Sequence, residues 1–105
     1  MARPRRSSPQ TVAVLLALAE QGTSWSHGYS LCARLRIKAG TMYPILMRLA
    51  DRGHLETAWE QDPPRGRPPR HLYRLSPAGA EFVAELRAER SAPARVVPAP
   101  RTAGT

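Results

Sequence analysis

Arg65, Arg67 and Arg70 crowd into six residues, in a stretch from Asp62 to Arg70 that also holds Gly66, four prolines and a single carboxylate, Asp62. Guanidinium groups in that density can do one thing well, which is to bind phosphate or lie in a narrow groove of duplex DNA. The run Arg65-Gly66-Arg67-Pro68 has the spacing of an AT-hook core, in which two arginines around a glycine follow an A·T minor groove where negative potential is concentrated. Arg65 and Arg67 are therefore candidates for minor-groove or phosphate contact, with Arg70 a supporting phosphate ligand. A solvated, flexible tip is the bland alternative.

A second constellation lies at Gly40 to Arg52. At about 100° per residue, Met42, Ile45, Leu46 and Leu49 share one stripe, while Gly40, Tyr43, Pro44, Met47 and Asp51 point the other way and Arg48 flanks them. One face suits a core. The other suits a helix whose backbone approaches a polyanion. Tyr43 offers a hydroxyl for phosphate or a base edge, or else packs on a neighbouring hairpin. Thr41 reads equally as a DNA contact and as a helix cap; Lys38 and Arg48 suit phosphate; Met47 suits a base contact. Gly40 allows close backbone approach or merely serves a turn.

Other chemistries find little support. No nucleophile with a matching base, phosphate loop or metal-ligand cluster appears, and His27, His54 and His71 stand far apart, so neither an enzyme nor a metal or cofactor is expected. Cys32 is alone, which excludes an internal disulfide framework and fits a reducing, cytoplasmic setting. Trp25 and Trp59 could line a pocket for a small planar effector, although such residues more often serve as core or hinge packing.

The elements that would position these residues follow from composition and punctuation. A chain of 105 residues is one domain, and its formal charge of +8, drawn from 16 basic residues of which only Lys38 is lysine, points to nucleic acid or an anionic membrane. The longest apolar run, Val12 to Ala19, is too short to cross a bilayer, so no membrane insertion is expected. Double-stranded DNA becomes the expected partner, and no membrane, only with the helix-turn-helix below.

Residues 1–8 read as a flexible basic arm. Ser8-Pro9 starts a helix that runs to about Gln21 and is apolar all round, a pattern that calls for cover from a second protomer. A short helix over His27 to Leu35 and the helix at Gly40 to Arg52 form a helix-turn-helix. Leu55 to Gln61 and His71 to Leu75 alternate and make a hairpin with the arginine stretch at its tip. Ser76-Pro77 starts a last helix to about Arg90, with Phe82, Val83 and Leu86 on one stripe and Glu81, Glu85 and Glu89 on an acidic ridge. Residues 92–105 read as a disordered tail. The fold class is thus mainly α with a small β-hairpin, a winged helix-turn-helix of order α-α-α-β-β-α, with the domain spanning residues 9–91.

The chain resembles the PadR-like family of transcriptional regulators. The resemblance rests on His27-Gly28-Tyr29-Ser30-Leu31, on Gly40-Thr41-Met42-Tyr43-Pro44-Ile45-Leu46 with Arg48-Leu49, on Gly53, on Trp59-Glu60, and on Tyr73-Arg74-Leu75-Ser76 with Gly79. It implies a homodimer that binds a pseudo-palindromic operator, usually as a repressor, with the third helix in the major groove and the wing near the minor groove. It also implies dimerisation by the terminal helix against the partner's first helix, which here offers Phe82, Val83 and Leu86 to Val12, Leu15 and Leu16.

Two departures bear on this expectation. Lys38-Ala39 stands where the family often has Ser-Pro, so either Thr41 caps the third helix or the helix starts near Ala39 with Pro44 inside it. The terminal helix is also short. The rival reading is a winged-helix scaffold that binds protein, its basic surface incidental.

Overall fold

A computed structural model of the chain describes residues 7–91. The tail expected over 92–105 and residues 1–6 of the basic arm lie outside the described residues. The element order is α1 (Pro9–Glu20), β1 (Ser26–His27), α2 (Gly28–Leu35), α3 (Ala39–Asp51), β2 (Leu55–Trp59), β3 (His71–Leu75) and α4 (Pro77–Ser91). That is the winged-helix order with one addition. The hairpin gains a third strand, giving an antiparallel sheet of order β1-β3-β2 in which Ser26 pairs with Tyr73 and His27 with Leu72. Two residues are too few to show a period of two, which is why β1 reads as loop in the sequence.

Each helix start has a distinct local cause. Ser8 caps α1, its hydroxyl accepting from the Thr11 N–H at 3.1 Å, with Pro9 in the first turn. His27 caps α2 through Nδ1, which accepts from the Ser30 N–H at 3.2 Å, and the Ser30 hydroxyl donates back to the His27 carbonyl at 2.9 Å. At α4 the Ser76 hydroxyl accepts from the Gly79 N–H at 3.0 Å and donates to the Gly53 carbonyl at 2.6 Å, so one side chain starts the helix and ties it to the turn after α3. That turn sits very close. A Cβ at position 79 would lie 2.0 Å from the His54 carbonyl oxygen, so only glycine fits.

α3 starts at Ala39 with Lys38 as its cap residue and no side-chain cap bond. The Thr41 and Met42 N–H groups both donate to the Lys38 carbonyl, at 2.9 and 2.8 Å. Thr41 is therefore inside the first turn rather than the cap, and Pro44 is internal, leaving the Gly40 carbonyl without its usual helical donor. The turn that leads into α3 carries Arg36 in the left-handed region, at φ 58°.

The core gathers Val14, Leu15 and Leu18 of α1, Leu31 of α2, Met42, Ile45, Leu46 and Leu49 of α3, Leu55 and Tyr73 of the sheet, and Val83 of α4. Burying side chains of this size stabilises by about 1.5–3 kcal/mol each relative to exposure. The four apolar residues expected on one stripe of α3 are the ones that are buried. α1 is less in need of outside cover than its composition suggests, because α2, β3 and α4 already pack on it.

Candidate nucleic-acid interface

Burial of Met42, Ile45, Leu46 and Leu49 fixes the rotation of α3 and turns Gly40, Pro44, Met47 and Asp51 outward as one ridge. Met47 is 64% exposed, and Thr41, Arg48 and Arg52 flank the ridge on one side, all exposed. Little on that ridge can donate a hydrogen bond. Its first turn, with glycine and proline outermost, lets backbone come near a groove wall, while Met47 offers an apolar contact of the kind that suits a thymine methyl.

Tyr43 lies on the other flank and is 37% exposed. Its ring covers Gly28 at the start of α2, so closely that a Cβ there would be 2.6 Å from the hydroxyl oxygen and from Cε1. Burial pushes the Tyr43 hydroxyl up from its ordinary pKa, Cys32 adds to this, and Arg70 opposes it. The hydroxyl therefore stays protonated and can donate. Around it runs a cleft of about 380 Å³ lined by His27, Gly28, Tyr29, Tyr43, Arg70 and His71, which joins α2, α3 and the wing.

The wing is built by a regular register, Leu55 opposite Leu75 through Trp59 opposite His71, and the Glu60 N–H donates to the Arg70 carbonyl at 2.7 Å beyond the last paired residues. β2 ends at Trp59, two residues before the expected Gln61. The register sets unlike charges across the hairpin. Arg74 Nε donates to Glu56 Oε1 at 2.8 Å. Farther out, both Glu60 oxygens accept from Arg67 at 3.0 Å, and Glu60 Oε1 also accepts from the Arg70 N–H at 3.2 Å. The hydrogen bond from Arg67 holds the Glu60 carboxyl below its ordinary pKa, with help from the Arg70 N–H and against partial burial.

Arg70 Nη1 lies 3.0 Å from His27 Nε2, so it bridges the wing to the cap of α2. His27 then faces a donor at each ring nitrogen, and a neutral imidazole can accept at only one of them. Burial first, then Arg70, lowers the His27 pKa, and Glu60 partly offsets this.

The sequence-derived candidates thus divide. Lys38, Gly40, Thr41, Met47 and Arg48 are exposed on or beside the outer face of α3. Arg65 is exposed at the wing tip, whereas Arg67 is turned back onto Glu60 and Arg70 toward His27. The two tryptophans are not brought together. Trp25 lies under Arg74, whose guanidinium carbon is 4.1 Å from the ring centroid, on the sheet face that carries Glu56. Trp59 stacks on His71 at 4.6 Å on the opposite face, which carries Tyr73. Neither lines the cleft at Tyr43, nor a second one of about 560 Å³ between the end of α1, the sheet and α4. Of the residues assigned to dimerisation, Leu15 and Val83 are buried within one chain, while Val12, Leu16, Phe82 and Leu86 keep exposed surface.

Three contributors escape a reading of the sequence alone: Glu60, His27 and Tyr29, the last 71% exposed at the cleft. Glu60 could have been found from the hairpin register, which sets it opposite Arg70. His27 and Tyr29 depend on how α2 meets the wing.

The sequence profile of the transcriptional regulator PadR-like family matches residues 14–85. Among solved structures, the chain is similar to a PadR family transcriptional regulator from Eggerthella lenta, with 30% identity, a TM-score of 0.64 and coverage of 77% of this chain and 73% of that one. It is similar to a PadR-like transcription factor from Bacteroides fragilis, at 26% identity and TM-score 0.67, covering 77% and 79% of the two chains. A Streptococcus mutans protein is 29% identical with TM-score 0.65, covering 87% and 84%. No curated protein matches the chain.

Proposed function

From the premise that this chain belongs to the PadR-like family of transcriptional regulators, we propose that it represses transcription as a homodimer bound to a pseudo-palindromic operator. The DNA-binding role comes with the family; repression, the operator's symmetry and the dimer are the proposal. The observation that carries it is the outward ridge of α3, whose glycine, proline and methionine lie between flanking Thr41 and Arg48 on one side and Tyr43 on the other. Such a face admits a groove wall to the backbone and places cationic and hydroxyl groups where phosphates would run.

In this reading Thr41, Tyr43 and Met47 meet bases or adjacent phosphates, Lys38, Arg48 and Arg70 meet phosphates, and Gly40 permits close approach. The wing reaches the minor groove. A second copy of the chain covers the apolar surface that remains on Val12, Leu16, Phe82 and Leu86, and symmetry then sets the half-sites about one helical turn apart.

Selection of bound duplexes from a random-sequence pool, followed by footprinting and a salt series, tests the whole reading. Two protected half-sites about one turn apart and a steep fall of affinity with salt are expected. Equal affinity for selected and random duplex would instead favour the scaffold reading. Arg48→Ala should weaken all duplexes similarly, whereas Met47→Ala should change which base is preferred.

A further inference from the structure

Arg65 and Arg67 are two residues apart, yet their surroundings are opposite. Arg67 gives both carboxylate oxygens of Glu60 a bond at 3.0 Å, the parallel two-bond geometry that fixes a guanidinium in place. Arg65 is exposed and makes no hydrogen bond or ion pair among the described residues. Between them Gly66 adopts φ +85°, a conformation that favours glycine, and the Arg67 N–H donates to the Pro64 carbonyl at 3.1 Å, so the chain reverses there. Glu60 also accepts from the Arg70 N–H, and the strand ends close over it through the Glu60 N–H to the Arg70 carbonyl. One carboxylate thereby closes a loop that has four prolines and would otherwise have few internal bonds.

We propose that Glu60 and Arg67 form a clasp that shapes the wing, so that Arg65 alone is presented to the DNA minor groove. Glu60 is then a positioning residue, and Arg67 is part of the clasp rather than a second groove-binding arginine. The inference rests on the DNA-binding reading and departs from the two-arginine AT-hook pattern of the sequence. The physical ground is an exchange argument. For Arg67 to reach the groove it must leave one anion for another, and the abandoned Glu60 carboxylate would then stand beside the phosphates. Arg65 gives up only water and mobile anions, while the duplex releases condensed cations.

A charge swap separates the two roles, since it preserves net charge. The duplex is one that the wild-type protein recovers from a random-sequence pool, and affinity is read by fluorescence anisotropy over a salt series for Arg65→Ala, Arg67→Glu and the double variant Glu60→Arg with Arg67→Glu. Arg65→Ala should weaken binding roughly tenfold and lower the salt slope by about one. Arg67→Glu should weaken it at least as much, and the swap should recover most of the wild-type affinity. A swap variant as weak as Arg67→Glu, or an Arg65→Ala variant that binds like wild type, overturns the proposal.

A second measurement needs no DNA. Arginine side-chain NMR should show slow hydrogen exchange for Arg67 and fast exchange for Arg65, with Arg67 becoming fast in Glu60→Gln; equal exchange for both arginines in the wild type overturns the clasp. Should the pool yield no preferred duplex, the DNA reading fails while the NMR result still decides the clasp.

Discussion

α3 and the wing adjoin each other, but they are held by different forces. α3 is positioned by burial: Met42, Ile45, Leu46 and Leu49 are each at most 3% exposed and fix its rotation. The outer half of the wing has no such anchor. Beyond Thr57 and Tyr73 the strand ladder is reinforced by Glu60 with Arg67, by Arg70 reaching His27 and by the stacking of Trp59 on His71, with Glu56 and Arg74 closing its inner end. Apolar burial is insensitive to moderate salt and pH, whereas partly exposed ion pairs respond to both. The molecule therefore combines a helix, α3, whose orientation is set by the core and which the proposed function makes the DNA-reading one, with a wing whose outer end is shaped largely by charge.

The largest test of that contrast is Leu46→Ala, which removes a fully buried side chain at the centre of the α3 stripe. A loss of about 2–5 kcal/mol is expected in urea denaturation, with the whole domain unfolding together. Glu60→Gln should leave the urea midpoint almost unchanged while loosening the wing. Equal losses from the two variants would erase the distinction. Gly28→Ala comes next in size. Its new methyl cannot coexist with the Tyr43 ring where it stands, and the ring is a movable neighbour, so a cost of about 1 kcal/mol is expected. Affinity for DNA should fall because Tyr43 is displaced; anisotropy and urea titration of the same variant separate the two effects.

Acid should act on the wing before it acts on α3. Glu60 has a lowered folded pKa, so its contribution is complete above the ordinary value of 4.5 and is lost as pH falls through the lower folded one. His27 is also lowered, so the neutral ring's contribution is complete above 6.5 and declines below that as the unfolded state takes up its proton. Hydrogen exchange should show the Arg70 and Ser30 amides opening as pH drops across these two windows while the amides of Ile45 to Leu49 stay protected. Simultaneous opening of both groups would contradict the separation.

The same division explains what could be read in advance. The α3 stripe, the Ser-Pro helix starts and the alternating strands are local patterns, each written in the period or punctuation of neighbouring residues, and the structure reproduces them. Their order already spells a winged helix-turn-helix, and motifs such as Gly40-Thr41-Met42-Tyr43-Pro44 add the family. β1 is not legible because a two-residue strand has no period, and composition does not say that Trp25 and Trp59 occupy opposite faces of the sheet. The surroundings of Arg65 and Arg67 were equally hidden. Their spacing suggested two equivalent arginines, but the reversal at Gly66 and the reach of Glu60 across the hairpin make them unlike. Sequence spacing conveys direction within a regular element and loses it in a loop.

The start of α3 is where the burial-anchored half is weakest, and the smallest effect is expected there. Lys38 supplies no side-chain cap, Arg36 before it is in the left-handed region, and Pro44 withholds a donor from the Gly40 carbonyl, so local interactions do little to hold the first turn. Met42 and Ile45 must fix it from the core side. Lys38→Ser would give the first turn a hydroxyl acceptor and should raise stability by about 0.5–1 kcal/mol in urea. In the proposed function the same change removes a cation beside the DNA-facing side of α3, so the salt slope of DNA binding should fall by about 0.9. A variant that gains stability and keeps the full slope would remove Lys38 from the interface. One that loses slope without gaining stability would show that burial alone already secures the helix start.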